Sequence, residues 1–318
     1  MITRRTFNNL VSAGVPAAWA ALGSRNARGA INSNFNGVQI GTITYSFKQD
    51  VRKPEEIIPD LVTLGIGSVE LMSDDAERMA GAPPIPNFGF GAKLTPEQQA
   101  AIDEGKRQRK EWRAKATSAS LQKVRQRFDD SGIRLQILCY NMAADIEDDE
   151  IEHAFRMARA FGVAAISSTS TVKVARRVAP FADKHQIIWG GHNHAEVDNP
   201  NEFASVQSLE LVLSLSKFFG VNLDIGHFTA GNQDAVAFIQ KHHDRITNLH
   251  LKDRKRNKGP NVPWGQGDTP IREVLLMMRS NKYKFPANIE LEYPIPEGSN
   301  SVKEIAKCLQ YAKNCLET

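Results

Sequence analysis

The sequence predicts a single (β/α)8 barrel of class α/β, and three observations predict it. Short β-type runs alternate with amphipathic helical stretches along the 318 residues, a pattern that argues for a parallel sheet. Eight such units fit into about 280 residues, a length that suits one closed barrel better than two domains. Four successive runs in the second half end in ionisable residues, as strands do when their C-terminal tips carry a site.

The first strand is Val38 to Tyr45, and its helix is Pro54 to Leu64, with Pro54 suited to a first helical turn. Gly67 to Leu71 is the second strand. Ile133 to Tyr140 is the third, followed by a helix from Asp149 to Phe161. Val163 to Ser168 and the helix Val172 to Lys184 make the fourth unit. Ile187 to Gly191, Val221 to Asp224, Ile246 to Leu251 and Ala287 to Leu291 complete the strands. Gly65, Gly132, Gly162 and Gly220 each precede a strand and read as helix C-caps. One connection is overlong: Ser73 to Thr117, with a Pro/Gly-rich start at Gly81 to Gly91 and a charged helix from Pro96 to Lys115. An insertion of that size after strand two reads as a lid or substrate wall, with Phe88, Phe90 and Trp112 covered.

The first thirty residues stand apart. Thr3-Arg4-Arg5-Thr6-Phe7 is a twin-arginine pattern, a weakly apolar stretch runs from Leu10 to Leu22, and Ala27-Arg28-Gly29-Ala30 offers small residues for cleavage. This reads as a Tat-type signal peptide over residues 1–30, so the expected location is the periplasm or beyond. The apolar stretch is too short and too broken, by Gly14 and Pro16, to span a bilayer. The segment holds four arginines and no acidic residue, so the remaining 36 basic residues equal the 36 acidic ones. A neutral barrel over residues 31–318 lacks the electrostatic footprint of a nucleic-acid binder. Three cysteines, with Cys308 and Cys315 about 10 Å apart along one helix, imply no disulfide framework.

Side chains on a strand alternate between faces. His192 and His194 therefore share a face, as do Asn222 with Asp224, Asn248 with His250 and Lys252, and Asn288 with Glu290 and Glu292. Glu70 shares a face with Ser68. Buried charge must be paired or coordinate a metal, so these tips are expected to converge on one ion. The expected ligands are His192, Asp224, His250 and Glu290, with Glu292 the alternative to Glu290. Two imidazoles and two carboxylates suit Mn, Co, Zn or Fe better than Mg, which prefers oxygen ligands and water.

This array resembles the sugar phosphate isomerase/epimerase superfamily, the xylose isomerase-like TIM barrels. The family's strand-six Asp followed three residues later by His is matched by Asp224-Ile225-Gly226-His227. Its strand-seven His-x-Lys-Asp is matched by His250-Leu251-Lys252-Asp253, and the glycine turn that follows looks like Trp264 to Pro270. Its strand-eight Glu appears in Ile289-Glu290-Leu291-Glu292-Tyr293. The resemblance covers nearly all of the chain after residue 30. Many members end strand five with a glutamate that binds metal and moves a proton. Gly191-His192-Asn193-His194 looks instead like the histidine variant of a subgroup. A neutral metal-bound imidazole is a poor base. Glu290 then remains as ligand and base, with His194, His227, Lys252 and Glu70 as acid–base or hydroxyl-binding partners. Arg256 falls where related epimerases place a substrate-binding arginine, and Glu292 joins it and Glu70 as a substrate-binding candidate.

The resemblance implies a metal-dependent isomerase or epimerase that acts on a keto-sugar or sugar derivative through an enediolate. Expulsion of a β-leaving group from the same species makes a 3-keto-glycoside lyase or hydratase, which the histidine variant and the export signal favour. Free sugar phosphates are scarce outside the cytoplasm, so an unphosphorylated carbohydrate is the expected substrate. Two further alternatives are an endonuclease IV-like DNA repair enzyme, opposed by the neutral charge, and a non-catalytic carbohydrate-binding barrel. No nucleic-acid partner is expected, and no membrane partner once the signal is removed; a homodimer is a common state of such barrels.

Overall fold

The computed structural model describes residues 29–50, 53–88 and 92–318. The twin-arginine stretch lies outside the described residues. Eight parallel strands close into a barrel: β1 (Val38–Ile43), β2 (Ser68–Met72), β3 (Arg134–Cys139), β4 (Ala165–Thr169), β5 (Ile188–His192), β6 (Phe219–Asp224), β7 (Ile246–Leu251) and β8 (Ala287–Ile289). Each pairs with its sequence neighbours, and β1 closes the ring by pairing with both β2 and β8. The order is the one the sequence predicts. Strand β8 ends two residues earlier than expected, but the Glu290 N–H still donates to Leu251 O (3.0 Å), so the pairing direction carries on to the tip.

The outer helices follow from sequence period and caps. They include α1 (Pro54–Leu64), α2 (Ser73–Met79), α3 (Pro96–Lys115), α4 (Ser118–Asp130), α5 (Asp148–Phe161), α6 (Val172–His185) and α7 (Val206–Leu215). Then come α8 (Ile225–Ala230), α9 (Ala235–His242), α10 (Ile271–Asn281) and α11 (Ser301–Glu317). Gly65 and Gly162 cap α1 and α5 in the left-handed conformation, as expected. Gly220 does not cap a helix; it lies inside β6. A Cβ there would sit 2.7 Å from Arg245 O and 2.9 Å from Thr247 Cγ2, so close approach of β7 explains the glycine. The core between sheet and helices is apolar: Trp189 is fully buried, with its ring 4.9 Å from Phe219 and 6.0 Å from Phe203. Burial of one such side chain is worth roughly 1.5–3 kcal/mol. All three cysteines are free and buried. Among the described residues no helix is long and apolar enough to cross a membrane.

The insertion departs from the expected lid. Helix α3 lies against the helical layer, tied by buried charge. Arg109, 1% exposed, pairs with Glu77 of α2 (2.7 Å) and Asp74 (3.0 Å) and donates to Pro83 O. Arg113 pairs with Glu77 (2.7 Å) and with Glu150 of α5 (2.6 Å). His153 completes the cluster at 2.9 Å from Glu77. None of the described insertion residues lines the cavity at the barrel mouth. Trp112 packs against the core, Phe88 is exposed, and Phe90 lies outside the described residues.

Candidate metal centre

The strand tips meet because the register is staggered. His192 pairs across to Asn222, Asp224 to His250, and His250 to Asn288. Asp224 and His250 therefore stand level, Asp224 lies two residues beyond the partner of His192, and Glu290 lies two residues beyond the partner of His250, so the four side chains gather around one point. One ligand atom each from His192, Asp224, His250 and Glu290 lies within 4.8 Å of the others, and all four residues are buried. The group is the set expected from the sequence, with Glu290 rather than Glu292 in it.

Both imidazoles are oriented from behind. His250 Nε2 lies 2.7 Å from Glu70 Oε2, and a carboxylate only accepts, so Nε2 carries the proton and Nδ1 faces the centre. His192 Nδ1 lies 2.6 Å from Asn222 Oδ1, another acceptor, which leaves Nε2 as its free nitrogen. Asp224 is held twice. Its backbone is bracketed by the Asn193 amide (2.8 and 3.0 Å), and its Oδ1 accepts the His227 N–H (2.6 Å) as the N-cap of α8.

Glu70 is fully buried beneath the centre and does not reach the cavity wall. It accepts from Asn248 Nδ2 (2.7 Å), Asn288 Nδ2 (2.8 Å), Ser167 Oγ and His250. That places it as the floor that orients His250 and not where a substrate hydroxyl would bind. Lys252 is also buried. Its ammonium lies 3.0 Å from Asp224 Oδ2, 2.9 Å from Glu290 Oε2 and against Glu292.

Three buried atoms that face the centre, Asp224 Oδ2, His250 Nδ1 and Glu290 Oε2, make no hydrogen bond. Their neighbours are the Lys252 ammonium, 3.0 Å from Asp224 Oδ2 and 2.9 Å from Glu290 Oε2, and each other, with His250 Nδ1 3.2 Å from Glu290 Oε2; it is the convergence of four donor atoms at one point that fits an ion. The Lys252 ammonium stands among three carboxylates, Asp224, Glu290 and Glu292, while Glu70 pairs with His250. Donor set, burial and tautomers all fit a divalent metal.

The pKa shifts follow this crowding. Burial pushes the Asp224 carboxyl up to about 7, with Lys252 opposing and Glu290 reinforcing. Burial also opposes charge on Glu290, but Lys252 and His250 hold it well below the usual carboxylate range. Burial disfavours charge on His250, yet Glu70 and Glu290 raise its pKa well above that of a free histidine. His192 and His227 are pushed down, first by burial and then by neighbouring cationic groups.

The centre opens into a cavity of about 570 Å³. His194, His227 and Glu292 line it beside His192, His250 and Glu290, with Ile43, Tyr45 and Met72 among its other walls. His194 Nδ1 lies 3.3 Å from Glu202 Oε2. His192, His194 and His227 form a second close group, with one ligand atom each within 4.8 Å of the others. The two ring nitrogens of His227, however, face Lys252 (3.1 Å) and Arg254 (2.6 Å). The Lys252 ammonium borders both groups, but only the mixed imidazole–carboxylate set brings carboxylates that offset a cation's charge, so it is the better seat.

Arg256 is exposed and outside the cavity wall; its backbone N–H donates to Asp268. Arg254 is the residue that turns inward, and sequence reasoning missed it. Extending the alternation His250, Lys252 by one more step reaches it, because the chain continues into a short hairpin that pairs Arg254 with Asn261. Asp253, the last residue of the His-x-Lys-Asp motif, accepts from the N–H groups of Gly265 (2.8 Å), Gly267 (2.8 Å) and Thr269 (3.2 Å) and so shapes the turn that follows.

Solved structures with this architecture include a sugar phosphate isomerase/epimerase from Parabacteroides distasonis (18% identity, 92% of this chain and all of that one, TM-score 0.57). Another is the probable 3-DHS dehydratase AsbF of petrobactin synthesis from Bacillus anthracis (13%, 86% and 99%, TM-score 0.60). A third is the IolI protein with a bound zinc atom (12%, 88% and 96%, TM-score 0.57). At these identities the likeness is one of fold. No curated protein sequence matches this chain. The sequence profile of the xylose isomerase-like TIM barrels matches residues 94–314, more than two thirds of the chain. By that match, and by the closed eight-stranded barrel it describes, the chain belongs to the xylose isomerase-like TIM barrel family.

Proposed function

We propose that this protein is a divalent-metal-dependent enzyme that moves a proton beside the carbonyl of an unphosphorylated sugar or sugar derivative, in the manner of an isomerase or epimerase. The observation that carries this reading is the convergence of one ligand atom each from the buried His192, Asp224, His250 and Glu290, all within 4.8 Å of one another, at the base of a cavity of about 570 Å³. The zinc atom of IolI and the isomerase/epimerase from P. distasonis support it by analogy of fold. His192, Asp224, His250 and Glu290 would hold the ion. When bound, a divalent ion supplies Lewis-acid polarisation of a carbonyl and so acidifies the neighbouring C–H.

The remaining steps fall to the chain's own residues. Glu290 is kept ionised by Lys252 and His250 and lines the cavity, which suits it to take the proton. His194, oriented by Glu202, offers an imidazole nitrogen at the same wall for the second proton transfer or for a hydroxyl, and His227, contacted by Arg254 and Lys252, lines the wall beside it. Lys252 holds Glu290 and Glu292 in place. No Arg or Lys is among the described residues that line the cavity, which leaves a phosphate without a grip and favours a neutral substrate. Tyr45, 38% exposed at the mouth, gives an apolar face for a sugar ring.

A second reading is β-elimination from a 3-keto-glycoside. It is favoured by the His194–Glu202 pair, which provides an acid for a leaving group separate from the Glu290 base. We place the enzyme outside the cytoplasm on the strength of the twin-arginine sequence at residues 3–7. Incubation of the metal-loaded protein with neutral keto-sugars and 3-keto-glycosides in D₂O tests both readings. Deuterium at the α-carbon of an intact skeleton means isomerisation or epimerisation, and release of the aglycone means elimination. Absence of both with every substrate removes the proposal.

A further inference from the structure

His227 is contacted by two cationic side chains, one at each ring nitrogen: Arg254 Nη1 lies 2.6 Å from Nδ1, and Lys252 Nζ lies 3.1 Å from Nε2. A neutral imidazole has one acceptor nitrogen, so it cannot accept from both. The guanidinium has only donors and stays protonated in proteins. Its Nε and Nη2 are already directed at Gly259 O (3.1 and 2.7 Å), and Nη1 has His227. Lys252 has other company: Glu292, Asp224 and Glu290 all lie within ion-pair distance. The competition for His227 therefore goes to Arg254. The backbone of Arg254 is fixed as well, with its N–H on Thr269 Oγ1 (3.0 Å) and its carbonyl accepting from Asp268 N (2.9 Å). His227 is fixed by its own N–H on Asp224 Oδ1 (2.6 Å).

We infer that Arg254 is a positioning residue that locks His227 in the tautomer with its proton on Nε2, the nitrogen beside the Lys252 ammonium (3.1 Å), so that the imidazole and the ammonium are both hydrogen-bond donors toward an oxygen that reaches them. His227 lines the cavity, with its ring centroid 5.8 Å from that of His192 and 5.2 Å from that of His194. A donor at that wall suits the oxygen on which negative charge develops once a proton leaves the adjacent carbon. The metal ligand His192 and the dyad His194–Glu202 then stand beside a group that gives a hydrogen bond and takes none. The catalytic half of this inference rests on the proposed proton-transfer function; the tautomer does not.

Two measurements test it. The first uses zinc-loaded protein labelled with ¹⁵N-histidine and long-range ¹H–¹⁵N correlation, with the His227 signals assigned by comparison with His227→Gln. The expected result is the pattern of a proton on Nε2; a proton on Nδ1 overturns the inference. The second compares Arg254→Met and Arg254→Lys. Arg254→Met is expected to release the tautomer lock and lower kcat about 10–100-fold, the usual range for an outer partner of a site histidine, with zinc stoichiometry and KM little changed. Arg254→Lys, which restores a donor, is expected to recover the Nε2–H pattern and part of kcat. An unchanged tautomer and unchanged kcat in Arg254→Met overturn the role of Arg254. If the zinc protein proves inactive on every carbonyl sugar but shows the Nε2–H pattern and its loss in Arg254→Met, the proposed function falls and the tautomer lock stands.

Discussion

Glu70 Oε2 and His250 Nε2 lie 2.7 Å apart on the floor of the barrel mouth, and that contact decides which nitrogen His250 turns to the centre. The same carboxylate gathers Asn248, Asn288 and Ser167, so a single side chain from β2 organises β4, β7 and β8 beneath the site.

Glu70→Gln keeps an acceptor but loses the charge; Glu70→Ala loses both. Metal affinity is expected to fall about 10–100-fold in Glu70→Gln, as for other partners of ligand histidines. In Glu70→Ala the amides of Asn248 and Asn288 lose their partner as well, at about 1–3 kcal/mol for each buried group left unsatisfied. Zinc competition titration and thermal unfolding of the metal-free proteins separate the two effects.

Lys252 is the only cation within ion-pair distance of Asp224 and Glu290 among the described contacts, apart from His250 at Glu290. Lys252→Met strands buried carboxylates, and breaking a buried pair from one side costs about 3–5 kcal/mol. The metal-free variant should unfold at lower denaturant than wild type. Saturating zinc should recover part of the loss, because a ligand that binds only the folded state adds stability. No zinc-dependent recovery of the midpoint would contradict a shared electrostatic centre.

Acid should loosen the anchorage of the insertion. Burial opposes charge on Glu77, but His153 and Arg113 outweigh it and hold the carboxyl at about 2. Its folded pKa is below its unfolded one, so this stabilisation is fully present above about pH 4.5 and is lost as pH falls toward 2. The contribution is of order 3 kcal/mol. Chemical unfolding across that window should show the slope in wild type and a shallower one in Glu77→Gln, which is also less stable at pH 7.

The turn after β7 should fail through either of its members. A Cβ on Gly267 would lie 1.9 Å from Asp253 Oδ1, and Asp253→Ala leaves three N–H groups without their acceptor. Each change is expected to cost about 1–3 kcal/mol. Proteolysis should then cut between residues 259 and 270 faster than in wild type.

The barrel was legible because strand and helix periods differ and because each strand tip carries its polarity change at a fixed place. Ile246–Leu251 and Pro54–Leu64 could be bounded to the residue for that reason. The converging cluster was legible because alternation assigns His250 and Glu290 a face, and a barrel gives those faces one focus. Positions past the strand ends were not. Arg254 and Arg256 look alike in the sequence, and only the hairpin of Arg254 with Asn261 turns one inward and leaves the other in water. The burial of Glu70 depends on donors from three distant strands, which no local pattern announces. The insertion differs from the expected lid because its aromatic residues suggest a cover, whereas Arg109 and Arg113 of its charged helix dock it against α2 and α5.

The docking of α3 has a consequence for how such chains diverge. Glu77 finds Arg109 and Arg113 on the added helix and His153 on α5, so trimming that helix away takes both guanidinium partners from its carboxylate and leaves the imidazole. Shortened descendants should then replace position 77 in step, and the two changes should be inherited together.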